Sequence, residues 1–324
     1  MEAARSKSLR PEPNPLCQNK AMPKVLIIGS ASMDLSVRVP HIAAAGETVL
    51  GPHYLLSPGG KGANTAVAAA RAASSPDTVS FAGAVGADIY GQGVRQAFEK
   101  NGVNQTHLLE LPHATGLALI SVADDGENAI TVASGANLHY LPLHLPTLEG
   151  LLFVALQLEI PLETVIAALQ AARNAGVKCV LNAAPAQKLP PEVLRELLKN
   201  VDVLVVNALE VQTLSGVGEL DKGTKFLLEQ GPEAVVVTLG GKGCYARTRT
   251  LELNLPALKV NVLDTTGAGD TFTGVLTLRL SLGDPLERAL KYASAAAALA
   301  CGEVGAQSAM PWNREIETLL NAQP

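Results

Sequence analysis

The segment Asp264-Thr265-Thr266-Gly267-Ala268-Gly269-Asp270 holds the residues best suited to chemistry. It follows the apolar run Val260–Leu263, expected to be a strand, and precedes Thr271–Leu282, expected to be a helix. Gly267 and Gly269 lack Cβ atoms, so the backbone there can approach an anion closely. Amides at a helix N-terminus add unpaired donors at the positive end of the dipole. Phosphate is the natural guest. A carboxylate beside such a pocket, at Asp270, can accept the proton of a hydroxyl that attacks phosphorus. Two plainer roles stay open. Asp270 can simply cap the helix, and the Gly-x-Gly pair resembles part of a dinucleotide fingerprint, although that motif belongs in a first βα turn with an acidic residue ~20 positions later. A Walker loop is excluded, because no Gly-Lys-Ser/Thr occurs here.

A second constellation is Gly59-Gly60-Lys61-Gly62-Ala63-Asn64, leading into a small-residue helix over 65–73. Its glycines allow close backbone approach, while Lys61 and Asn64 offer donors suited to hydroxyls or a carboxylate. Taken alone it is also a glycine-rich turn into a helix. Asp34 follows the first apolar run through Ser30-Ala31-Ser32-Met33, where it can cap a turn or bind vicinal hydroxyls. Further polar groups close later runs: Gln157 and Glu159, Asn182, Asn207 with Glu210, and Thr238-Leu239-Gly240-Gly241-Lys242-Gly243. Each is a weak signal by itself. Their shared place at strand ends points to one ligand crevice.

The elements that must position these residues alternate. Strand-like runs at Val25–Ile28, Val79–Ala84, Leu151–Leu158, Cys179–Leu181, Asp202–Val206 and Ala234–Thr238 are separated by helical patterns. Those helices are Gly62–Ala73, Gly91–Asn101 closed by Gly102, Leu162–Asn174, Pro191–Lys199 and Lys222–Glu229. This is the pattern of a three-layer, doubly wound α/β fold with a mainly parallel sheet. Two stretches break the rhythm: residues 36–58, too long for a βα loop, and residues 114–135, which alternate around Asp124-Asp125-Gly126-Glu127 like a hairpin. They are expected to form a small β lid over the crevice, whose exposed sheet can pair with a second copy into a homodimer. Ordinary surface loops are the alternative.

Composition narrows the class. The 324 residues are 48% hydrophobic and 17% charged, enough to build a large core in one or two units. A net charge of −5, no run of basic residues and 3% aromatics argue against a nucleic-acid face or a base-stacking platform. No apolar stretch reaches the ~18 residues of a membrane span. Cys17, Cys179, Cys244 and Cys301 form no C-x-x-C pair, so reduced thiols in a soluble, cytoplasmic protein are expected. Residues 1–22 are expected to be a flexible leader preceding one domain over 23–324; Glu2 and Glu12 argue against a transit peptide.

From about Lys24 to Trp312 the sequence resembles the ribokinase-like (phosphofructokinase B-type) family of sugar kinases. Residues 264–270 are highly specific for that superfamily, and residues 59–64 point to its ribokinase branch. Gly46-Glu47-Thr48, Gly135-Ala136-Asn137, Gln157-Leu158-Glu159, Gly305-Ala306-Gln307 and Pro311-Trp312 support the likeness. The resemblance implies transfer of the ATP γ-phosphoryl group to the 5-hydroxyl of D-ribose, with Asp270 as base and the amides of Gly267, Ala268 and Gly269 as anion hole. It implies sugar contacts from Ser32, Asp34, Gly60, Lys61, Gly62, Asn64 and Glu159. Nucleotide contacts would come from Asn207, residues Thr238 to Gly243 and Ser294, and Mg²⁺ would be held through Asn207 and Glu210. A K⁺ ion is implied beside Asp264, Thr266, Ala300, Glu303, Gly305 and Ala309. Three positions depart from the family pattern. Ser32 stands where an Asn commonly meets the sugar, Asn182-Ala183-Ala184-Pro185 replaces Asn-Pro-Ala-Pro, and Ala309 replaces a cation-binding Ser. Ser32 keeps a kinase for deoxyribose, a nucleoside or another sugar open. A non-catalytic sensor and an NAD-dependent dehydrogenase are the readings from other classes.

Overall fold

The computed structural model describes residues 25–75 and 78–322, so Cys17 and the expected leader lie outside the described residues. In chain order the first half contains β1 (Val25–Ile28), β2 (Ser32–Val39), β3 (Tyr54–Gly59), α1 (Lys61–Ala72), β4 (Val79–Gly86), α2 (Ile89–Asn101), β5 (Asn104–Leu111), β6 (Gly116–Ala123) and β7 (Asn128–Ala133). There follow β8 (Phe153–Leu156), α3 (Leu162–Asn174), β9 (Lys178–Asn182), α4 (Pro191–Leu198), β10 (Val203–Asn207), α5 (Ala208–Ser215), α6 (Leu220–Glu229) and β11 (Ala234–Thr238). The chain closes with β12 (Cys244–Thr248), β13 (Glu252–Leu255), α7 (Ala268–Ser281), α8 (Leu286–Ala300) and α9 (Asn313–Asn321).

Nine strands form the main sheet, in the order β13-β12-β11-β10-β9-β8-β1-β4-β5, parallel except for β12 and β13. The central strand β1 reads Val-Leu-Ile-Ile and is buried throughout. Because successive side chains point to opposite faces, Val25 and Ile27 pack with α1, α7 and α8, while Leu26 and Ile28 pack with α3, α4 and α6. Local signals set the helix ends. Asp88 accepts a hydrogen bond from the Gly91 N–H and starts α2 two residues before the expected Gly91, and Gly102 ends it at φ 70°.

The two irregular stretches build a separate sheet of order β3-β2-β6-β7. It reaches further toward the crevice than residues 36–58 suggested, because β2 begins at Ser32 and carries Asp34 in register with Ser57 and Ala118. One expectation fails. Val260–Leu263 is not a strand: the Leu263 and Asp264 N–H groups both donate to the Cys301 carbonyl, and Val260 and Val262 line a cavity. The apolar pattern there serves a pocket wall and not a sheet.

Candidate active site

The C-terminal ends of β1, β8, β9, β10 and β11 open toward the small sheet, and three cavities run along that edge. The first, about 600 Å³, has a polar end made by Asp34, Lys61, Asn64, Glu159 and Asp270. The lid side chains Ala118, Ile120, Ile130 and Val132 wall its other side. The third, about 360 Å³, is lined by Gly240, Gly241, Gly269 and Ser294 together with Leu258, Val262 and Ala298. A small cavity of about 140 Å³ joins them: it shares Lys61 and Asp270 with the first and Asn207, Thr238 and Gly269 with the third.

Asp270 is 6% exposed and sits in the first turn of α7. It is not the helix cap. Gly267, at φ 74°, holds that place, while Asn64 Nδ2 donates to Asp270 Oδ2 at 2.9 Å. Burial pushes the Asp270 carboxyl up to about 6, against the pull of Lys61 and the Asn64 amide, with Glu159 and Asp34 pushing further. Such a group is ionised at neutral pH yet still basic enough to take a proton.

Glu159 is anchored by two donors, Ser30 Oγ at 2.6 Å and the Lys61 backbone N–H at 2.9 Å, both to Oε2. Asp34 is also pushed up to about 6, by burial and then by the Glu159 charge. Gly59 makes room for it, since a Cβ there would fall 2.3 Å from the Asp34 carboxylate. Burial works against the charge of Lys61, but Asp270, Glu159, Glu210 and Asp34 outweigh it and hold the ammonium above its usual range. Lys61 thus stands between the first cavity and the small one, a cation in the passage. The segment 135–137 acts at a distance: the Asn137 amide pairs with both backbone groups of Ala31, at 2.9 Å each, and ties the lid connection to the end of β1.

At the other end, Gly269 and Gly241 have no protein atom within 4 Å of where a Cβ would stand. Their glycines are not demanded by packing; they leave space along a cavity. Gly62 differs, because a Cβ there would lie 2.7 Å from the Gly29 and Ser30 backbone, so it seats α1 on β1 and lines none of the three cavities. Leu239 packs on the core and Lys242 is exposed; neither lines the third cavity. The aliphatic walls agree with what the low aromatic content suggests for a nucleotide site, whereas Gln307, named in the sequence only as part of segment 305–307, turns out to donate from Nε2 to Asn64 Oδ1 at 3.1 Å.

Two donor sets suit cations. Asn207 and Glu210 form a reciprocal cap on α5, with the Asn207 N–H donating to Glu210 Oε2 at 2.7 Å and the Glu210 N–H to Asn207 Oδ1 at 2.8 Å. Both line the small cavity, and Glu210 Oε1 makes no hydrogen bond among the described residues, which fits a hydrated divalent ion. Asp264 accepts from the Thr266 N–H and hydroxyl and from the Gly305 N–H at 2.8 Å, and so ties the glycine loop to the turn after α8. Ala300 is buried at the end of α8, Glu303 is exposed, and Ala309 brings only a methyl group. The oxygens there, one carboxylate with hydroxyl and peptide oxygens, suit a hard cation.

Residues 22–313 match the pfkB family of carbohydrate kinases. The chain belongs to that family. A ribokinase of Haemophilus influenzae is 36% identical to this pfkB kinase over 299 residues, 89% of this chain and 95% of the relative. Among solved structures, the ribokinase of Thermotoga maritima superposes with a TM-score of 0.85 at 32% identity, covering 92% of this chain and 99% of that one. The Arabidopsis thaliana ribokinase complexed with ribose and ATP superposes with a TM-score of 0.82 at 29% identity, covering 92% and 98%. Family membership sets aside the dehydrogenase reading.

Proposed function

We propose that this carbohydrate kinase is a ribokinase, which transfers the γ-phosphoryl group of ATP to O5 of D-ribose. One observation carries the reading: a single buried carboxylate, Asp270, borders both the hydroxyl-binding end of the first cavity and the small cavity leading to the glycine loop. Asp34, Lys61, Asn64 and Glu159 grip the sugar hydroxyls, with Ser32 and Gly60 beside them. Asp270 accepts the proton of the 5-hydroxyl as that oxygen bonds to the γ-phosphorus. The bond from that phosphorus to the β,γ-bridging oxygen breaks, and ADP leaves. Charge on the phosphoryl group in flight is met by the amides of Gly267 and Gly269, by the α7 dipole and by Lys61, while the Ala268 N–H, which donates to the Thr265 carbonyl at 3.2 Å, would have to share its hydrogen with the phosphate. Thr238, Gly240, Gly241, Gly243 and Ser294 border the nucleotide, whose adenine rests against Leu258, Val262 and Ala298.

Asn207 and Glu210 would hold Mg²⁺ beside the phosphates, and the ion would neutralise part of their charge. Asp264, Thr266 and the carbonyls of Ala300, Glu303 and Gly305 would hold K⁺, which would stabilise the loop conformation. The outer face of the lid, where Tyr54 is 71% and Leu119 46% exposed, pairs two copies into a homodimer. The free thiols Cys179, Cys244 and Cys301 suit a cytoplasmic setting, and no described helix is long and apolar enough to cross a membrane.

ADP release in a coupled assay, with ribose, deoxyribose, fructose and nucleosides compared by kcat/KM, tests the assignment. Ribose is expected to lead, and K⁺ is expected to raise its rate over Na⁺. A better deoxyribose or nucleoside substrate replaces the ribose reading with its neighbour, which Ser32 at the wall of the first cavity favours. Sugar binding without ADP release would instead point to a sensor.

A further inference from the structure

Asp270, Asn64 and Gln307 form a buried chain of side chains, at 6%, 5% and 5% exposure, that lies 206 and 243 positions apart along its two links. An ionised carboxylate only accepts hydrogen bonds, so Asn64 must turn its NH₂ toward Asp270 and its carbonyl away. That carbonyl is buried and needs a donor. Gln307 Nε2 supplies one at 3.1 Å, while Gln307 Oε1 has no partner of its own. Were the donor missing, Asn64 could rotate about its last torsion and set its carbonyl against Asp270. Only a protonated Asp270 tolerates that arrangement, and a protonated Asp270 is no base.

We propose that Gln307 is a positioning residue: it fixes which end of the Asn64 amide faces Asp270 and thereby keeps the carboxylate ready to accept a proton. Gln307 opens the short turn Gln307–Ala309, two residues beyond Gly305, whose N–H holds Asp264. One turn of chain therefore steadies both the glycine loop and the partner of the base. The charged groups that also bear on Asp270 are Lys61 from α1, Glu159 after β8 and Asp34 from β2, with Glu210 from α5 lining the same small cavity. None of them is hydrogen-bonded to Gln307 among the described residues.

The proposal rests on Asp270 as the base. Its test is the pH profile of kcat for Gln307→Met, Asn64→Leu and the double variant, with the nucleotide KM measured alongside. For Gln307→Met we expect the acid limb of kcat to move up by about one pH unit, so that kcat falls about tenfold near pH 5 but only about twofold at neutral pH, recovering at alkaline pH with nucleotide KM unchanged. The double variant should be no worse than Asn64→Leu, because Gln307 acts only through Asn64. A pH-independent fall in Gln307→Met, or effects that multiply in the double variant, overturns the proposal. Should Gln307→Met fail to fold, Asn64→Leu decides alone: an unmoved acid limb there excludes the chain. Asp270→Asn separates the two levels, since retained turnover removes the base itself, whereas lost turnover with unmoved limbs removes only the role of Gln307.

Discussion

Gly274 of α7 lies against Thr65 of α1 so closely that a Cβ on Gly274 would fall 2.4 Å from the Thr65 carbonyl oxygen. Ala68 and Ala69 continue the contact, and the two helices meet along small residues. This close crossing brings Asn64, one turn from the start of α1, to Asp270 in the first turn of α7. Gly274→Ala should force the helices apart. An overpacking cost of about 1–3 kcal/mol is expected, together with a kcat loss larger than the stability loss explains at assay temperature. Thermal denaturation and steady-state rates on one preparation measure both; an unchanged kcat would show that the crossing does not set the site.

Asp270→Asn should lower kcat by about 100-fold or more with nucleotide binding nearly intact. Turnover close to the parent's would remove Asp270 from the chemistry.

The same substitution should stabilise the protein. Burial raises Asp270 from an ordinary 3.8 to about 6, so the folded state prefers it protonated. Its contribution to stability is full below the unfolded value near pH 4 and is lost as pH rises through about 6. At neutral pH the ionised group costs up to about 3 kcal/mol, which the Asn variant avoids. The Tm advantage of Asp270→Asn should therefore appear near pH 7.5 and shrink near pH 4. A pH-independent Tm difference would contradict the burial argument.

Gly269→Ala and Gly62→Ala should fail in opposite ways. At Gly269 the methyl meets no protein atom within 4 Å, and Ala is the better helix former by about 1 kcal/mol, so the fold should hold or gain. The methyl would occupy space meant for phosphate, and kcat/KM for nucleotide should fall at least about tenfold. Gly62→Ala presses on backbone at 2.7 Å and should lose stability first. Calorimetry paired with kinetics distinguishes them.

Lys61→Met removes the cation that most opposes the burial of Asp270. The acid limb of kcat should move to higher pH, and kcat should drop roughly 100-fold for want of charge in the passage. A limb that stays in place would mean that Lys61 acts on the substrate alone.

Much of this was legible in the chain. Alternating apolar runs and helical patterns marked six of the nine strands of the main sheet, because strands such as β1, β10 and β11 are buried on both faces and must be almost wholly apolar. The glycine loop stood out because two glycines opening a helical pattern run against helix propensity, and Gly267 indeed caps α7 at φ 74°. Val260–Leu263 misled because a pocket wall and a strand both demand apolar residues. β5, β12 and β13 escaped because each mixes polar with apolar residues and offers no continuous apolar run. Gln307 could be read as part of a segment but not as a donor, since its partner Asn64 is 243 positions away.

The three joined cavities divide the chain unevenly. Apart from Thr266 and Asp270, everything that lines the first comes from residues 30–189, whereas the third is lined only by residues 207–301. On the proposed kinase reading, the acceptor side and the donor side would be written in separate stretches of sequence, joined through Lys61 and Asp270. Exchanging the lid and its neighbouring strand ends would then change which alcohol is accepted without redrawing the transfer machinery. An inventory of diverse acceptors on one scaffold can arise by drift in the first stretch alone.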